Sequence, residues 1–156
     1  MVKILSEPYP ITDDDPNVTA ATTFTASVWQ DCWKYRVPEK TQIVLQATDS
    51  ISAYLADSGD AEITDPDFRF KIEVRDPSEQ HRERVFGPSN YLPIKEMQDT
   101  DKFAYLNLEH PVKVPAKWWI VIMDWDATGH DAANIVANGA GNCYFILRTT
   151  KVRETL

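Results

Sequence analysis

Residues 68–75, FRFKIEVR, alternate apolar and charged side chains without exception. A helix would scatter that pattern around its circumference, whereas an extended strand puts Phe68, Phe70, Ile72 and Val74 on one face. Arg69, Lys71, Glu73 and Arg75 then fall on the opposite face, toward solvent or a partner. A half-buried strand of this kind needs a second apolar layer over it, which restricts the chain to sheet-based architectures.

The rest of the sequence supplies the other strands. Residues 118–125 form an apolar run broken only by Asp124, and 143–147 form another that continues into a polar tail through Val152; both predict central strands covered on both faces. From residue 22, Phe24, Ala26 and Val28 alternate with Thr23, Thr25, Ser27 and Trp29. Trp33, Tyr35 and Val37 alternate with Lys34 and Arg36 until Pro38 removes a ladder donor. Further short strands are predicted at 42–46, at 49–57 (where helical spacing competes), and at 85–86, 91–94, 103–108 and 112–114. Asp76 and Pro77 start a turn, and residues 78–83 predict an exposed loop or polar hairpin tip. Ten prolines and no convincing long helix accompany these runs. The fold expected is all-β: an antiparallel β-sandwich of jelly-roll type over residues 22–156, with Phe70, Ile72, Ile120 and Ile122 in one core between two sheets. Residues 1–21, with Pro8, Pro10, Pro16 and the triplet Asp13, Asp14, Asp15, predict an extended N-terminal arm whose apolar anchors are Ile4, Leu5, Tyr9 and Ile11.

A chain of 156 residues is the size of one domain. Its 24 acidic residues against 16 basic ones give a net charge of −8, and no basic run exceeds the interrupted His81, Arg82, Arg84 stretch, so nucleic acid is not an expected partner. No apolar segment approaches the ~20 residues of a membrane helix, and the first residues lack the order of a secretory signal, so synthesis in the cytoplasm and no membrane partner are expected. Cys32 and Cys143 have no Cys or His at ligand spacing; two buried free thiols are the plain reading, with one long-range disulfide left open.

Catalytic signatures are weak. His81 and His110 read as surface residues, and no GxSxG elbow accompanies any histidine. Asp124, Asp126, His130 and Asp131 could ligate a divalent ion, but their spacing matches no ligand pattern and a solvated strand end and turn explains them equally well. The loop bearing Asp57, Asp60, Glu62, Asp65 and Asp67 lacks EF-hand order, and Gly139 and Gly141 suffice for a turn. No catalytic residue, cofactor or metal is therefore assigned, and the chain is read as a non-enzyme. Trp118 and Trp119 must point to opposite faces of their strand, so one of them lies under a loop or is presented to a partner. The interface candidates are Ile4, Leu5, Tyr9, Ile11, Trp29, Trp118 and Trp119.

In the order of its features the chain resembles small jelly-roll structural proteins of tailed phages and related viruses, the class that decorates or cements an icosahedral capsid. The features are the N-terminal arm, WKYRVP at 33–38, FRFKIEVRD at 68–76 and WWIVIMDWD at 118–126. That resemblance implies a capsid decoration, cement or minor capsid component at the virion surface. Its implied partners are a major capsid protein and copies of itself, in a homo-oligomer such as a trimer. The alternative is a carbohydrate-binding sandwich that stacks glycans on exposed Trp and Tyr.

Overall fold

The computed structural model describes residues 3–20, 25, 27–54, 69–86, 103–125 and 143–155. Their strands are β1 (Lys3–Thr12), β2 (Val18–Ala20), β3 (Gln30–Arg36), β4 (Thr41–Leu45), β5 (Ser50–Tyr54), β6 (Arg69–Arg75), β7 (Arg82–Phe86), β8 (Ala104–Tyr105), β9 (Val112–Val114), β10 (Trp119–Trp125) and β11 (Tyr144–Thr155). Every pairing among them is antiparallel.

The first sheet is organised by β11. One of its edges carries β1 in register from Lys3↔Thr155 to Thr12↔Ile146. The other edge is shared: Tyr144–Leu147 face β5, and Thr150–Arg153 face β4. β4 and β5 are thus two halves of one strand position, interrupted at residues 46–49. The Asp49 N–H donates to the Gln46 carbonyl, the Gln46 N–H donates to the Asp49 carboxylate, and the N–H groups of Leu106 and Asn107 close on the carbonyls of Asp49 and Ala47. Outside them, β8 pairs β5 and β9 pairs β4. The second sheet runs β2-β3-β10-β6-β7. Connections β1–β2, β3–β4, β5–β6, β7–β8, β9–β10 and β10–β11 pass from one sheet to the other, which makes the sandwich a jelly roll.

Within the segment read as an arm, Lys3–Thr12 is a strand of this sandwich and Ile11 is fully buried in its core. Pro8 and Pro10 fit because β1 is an edge strand, where a missing N–H on the open side costs no ladder bond.

Phe70, Ile72, Ile120 and Ile122 meet Trp33, Tyr35, Ile11, Ile43, Leu45, Ile51, Phe145 and Leu147 in one core between the sheets, and the Trp33 and Phe145 rings lie 4.9 Å apart. Each such side chain contributes about 1.5–3 kcal/mol by leaving water. Two register shifts adjust the packing. One, between Ile122 and Met123 on β10, inserts Cys32 as an extra residue of β3; the other, beside β6, inserts Val85 in β7. The neighbours Cys32 and Trp33, and likewise Val85 and Phe86, consequently both reach the core, which unbulged strands would forbid.

Several expectations change. Residues 27–29 do not continue a strand: Ser27 has φ 58°, a left-handed conformation that breaks extension, and Val28 is exposed. Asp124 is 0% exposed and shares the inward phase of Ile120 and Ile122, so it is no solvated strand end. The outer face of β6 is not open along its length either, since Glu73 and Arg75 are buried. The predicted features at 22–24, 57–67, 91–94 and 126–142 lie outside the described residues.

Candidate functional site

On the outer face of the second sheet, the pairings set side chains in rows. Arg36, Trp119, Arg75 and Arg82 form one; Lys34, Val121, Glu73 and Arg84 the next; Asp31, Met123 and Lys71 a third. This is the charged phase of FRFKIEVR together with the WKYR of β3, and Val121 and Met123 are buried beneath it.

Arg75 is the centre. Its guanidinium, 1% exposed, donates to both Asp31 carboxylate oxygens at 2.7 and 2.9 Å, to Glu73 at 3.1 Å and to Glu79 at 2.9 Å, and it touches the Met123 sulfur at 3.2 Å. Lys34 closes the group from the β3 side, 2.7 Å from Glu79, while Lys71 lies 3.4 Å from Glu73. Glu79 comes from the β6–β7 turn with φ 60°, a conformation that costs a residue bearing Cβ about 1 kcal/mol or more. Glycine would relieve that cost but would remove the carboxylate that reaches Arg75 and Lys34.

The electrostatics follow from this packing. Burial raises the Asp31 carboxyl, but the Arg75 hydrogen bonds and charge more than offset it and leave the group below its usual range. The hydrogen bond from Lys34 is the main cause holding Glu79 below its usual range; burial opposes it and Arg75 adds to it. For Arg75, burial disfavours the cation, yet Asp31 and Glu79 hold its pKa above even the ordinary arginine value.

The tryptophans of this face carry cations on their rings. Lys34 Nζ lies 4.5 Å and Arg36 Cζ 5.2 Å from the Trp119 ring centre, Lys71 Nζ 4.7 Å from that of Trp29, and Arg69 Cζ 4.7 Å from that of Trp125. Trp118, on the opposite phase, packs partly against the core with His81 edge-on to it. Of the arm's anchors, Ile4 is 72% and Leu5 42% exposed, Ile4 beside a shallow groove formed with Thr41, Gln42 and Val152. Tyr9 is half-buried: its hydroxyl donates to Asp15, its ring lies under Lys151, and burial, then Asp15, push its pKa up. Ile11 offers no surface, because its whole side chain is core. Sequence reasoning missed Arg75, Asp31 and Glu79 as a unit; the signal available was the charged phase of the FRFKIEVR strand followed at once by the polar turn.

Elsewhere the chemistry is sparse. His81 and His110 are exposed, and among the described residues no three His, Cys, Asp or Glu side chains come together to hold a metal; Asp126, His130 and Asp131 lie outside them. Cys32 and Cys143 are buried and unbridged, with burial first, and then Asp124, driving the Cys32 thiol far up.

No protein-family model matches the sequence, and no curated protein matches it. Solved structures do. VP17, a capsid protein of bacteriophage P23-77, superposes with a TM-score of 0.69 at 9% identity over 100% of both chains. The chain shares its fold with a phage capsid protein. The complex of VP16 and VP17, the two major capsid proteins of that phage, matches with a TM-score of 0.65 at 8% identity, over 96% of this chain and 99% of the other. A family two carbohydrate esterase from Cellvibrio japonicus overlaps 35% of its own length at a TM-score of 0.31, too low to argue from. The carbohydrate-binding alternative gains no support from these likenesses, and Trp29, Trp119 and Trp125 already hold cations on their rings.

Proposed function

We propose that this chain is a structural subunit of a viral capsid and acts through protein–protein contacts rather than catalysis. The observation that carries the reading is the end-to-end likeness to VP17: 100% of each chain superposes, so the whole sandwich, and not a shared substructure, is common to both. The described surface agrees with a contact role, because it carries ion pairs and ring–cation pairs. In this reading the partners are copies of the chain and a second capsid protein, and the protein resides in the virion. Ile4, Leu5, Trp29, Trp118 and Trp119 belong to its contact surfaces.

Two positions in a particle are distinguishable: a subunit building the shell, or a decoration or cement bound on it as an oligomer such as a trimer. Because the likeness is to capsid proteins, two of them described as major, we take the shell-building position. Quantitative mass spectrometry of purified particles tests both levels. A copy number matching that of the most abundant shell protein is the expected result, and a lower count with salt-strippable trimers would return the chain to decoration. Its absence from particles would end the capsid reading.

A further inference from the structure

The outer face of the second sheet is basic on an acidic protein. Among the described residues it carries Lys34, Arg36, Arg69, Lys71, Arg75, Arg82 and Arg84 against the acids Asp31, Glu73 and Glu79. These sum to a surplus of four positive charges, whereas the other described side chains, six basic and ten acidic, sum to −4. All three acids converge on Arg75, whose guanidinium lies below the surface. Among the described residues of this face, Arg36, Arg82 and Arg84 are the exposed cations that an approaching molecule meets.

We infer that this face docks an acidic described surface elsewhere on a second copy of the same chain, in a heterologous, head-to-side contact. Charge complementarity selects the occupant. A face-to-face pairing would set Arg36, Arg82 and Arg84 against themselves, whereas the described side chains elsewhere on a neighbouring copy sum to −4. The surface is also held ready, since Lys34 and Arg36 are fixed on Trp119, Lys71 on Trp29, and the β6–β7 turn on Arg75; docking orders few side chains. A heterologous contact repeats from copy to copy, which is what a shell of many identical subunits requires. The inference leans on the capsid reading only to supply crowded copies; the charge distribution stands independently.

The experiment is analytical ultracentrifugation of the purified full chain in about 0.1 M and about 1 M NaCl, between which the screening length falls from roughly 10 to 3 Å. Self-association should weaken by about tenfold or more across that range. Arg36→Glu/Arg84→Glu should abolish the association at low salt while melting within a few degrees of the parent, and Arg36→Lys/Arg84→Lys should retain it. A monomer at low salt, salt-insensitive association, or an unimpaired double charge reversal overturns the inference. So does tight binding of duplex DNA by the parent that the reversal removes, because the face would then be a phosphate-binding one. Presence in virions with unimpaired incorporation of the Glu variant sinks the face and leaves the capsid reading standing. Absence from virions with a salt-labile oligomer lost on reversal does the opposite.

Discussion

Arg75→Met is the most informative single substitution, because it keeps an unbranched apolar stem while deleting the charge that three carboxylates share. Removing one member of a buried ion pair costs about 3–5 kcal/mol, chiefly because the partner is left charged in a poor solvent. Here the partners are unequally placed: Glu73 is only 11% exposed, but Asp31 and Glu79 are 33% and 30% exposed, and Lys34 and Lys71 stay beside Glu79 and Glu73. Water and these lysines recover part of the loss, so the cost at neutral pH should be about 2–3 kcal/mol. Urea unfolding measures it, and adding Glu73→Gln should restore part of the stability by removing the most buried stranded charge. The pH dependence has a definite sign. Asp31 and Glu79 have folded-state pKa values depressed below their ordinary 3.8 and 4.5, so their stabilisation is present above those values and is lost as pH falls through the folded ones. The gap between parent and variant should therefore narrow below about pH 4.5. A cost under about 1 kcal/mol at neutral pH, or a gap that stays constant into acid, would refute the account of Arg75 as the clamp of this face.

Phe70→Ala should cost about 3–5 kcal/mol in equilibrium unfolding, since the ring is fully buried between the sheets. Deleting residues 1–12 should lower the melting temperature of the isolated monomer, because it strips β1 from β11 and Ile11 from the core; an unchanged melting curve would mean that β1 docks elsewhere in solution. Both thiols should resist an aromatic disulfide reagent in native protein and react only on unfolding, as burial raises the Cys32 pKa and closes access to both; rapid native labelling would contradict the packing.

How legible each part was depends on the physics that fixes it. The FRFKIEVR and WWIVIMDW strands and the Phe70, Ile72, Ile120, Ile122 core could be read because burial imposes a period that composition cannot hide. The bulges at Cys32 and Val85 could not, since an extra residue is visible only against its partner strand. Nor could the interruption between β4 and β5, which is held by the backbone of residues 106 and 107 far along the chain. Asp124 and Arg75 defeated the rule that charged residues mark solvent, because their surroundings come from β3, β10 and the β6–β7 turn together. The candidate site was half visible: its cations stand in the alternating strand, but the acids that organise them, Asp31 and Glu79, are joined to it only by the fold.

The pairing of β1 with β11 has a consequence for the birth of the molecule. It joins residues 3–12 to residues 146–155, so each of its contacts spans more than 130 residues, and loop closure must be met before any of its ladder bonds form. At translation rates of about 5–20 residues per second, the residues facing β1 are made roughly 7–30 s after it. Throughout that interval β1 is an orphan strand with the future core residue Ile11 in water. Pro8 and Pro10, which carry no N–H to donate, deny a neighbouring nascent chain a continuous ladder on which to pair, so the same prolines that suit an edge in the finished sandwich guard it against aggregation while it waits for β11.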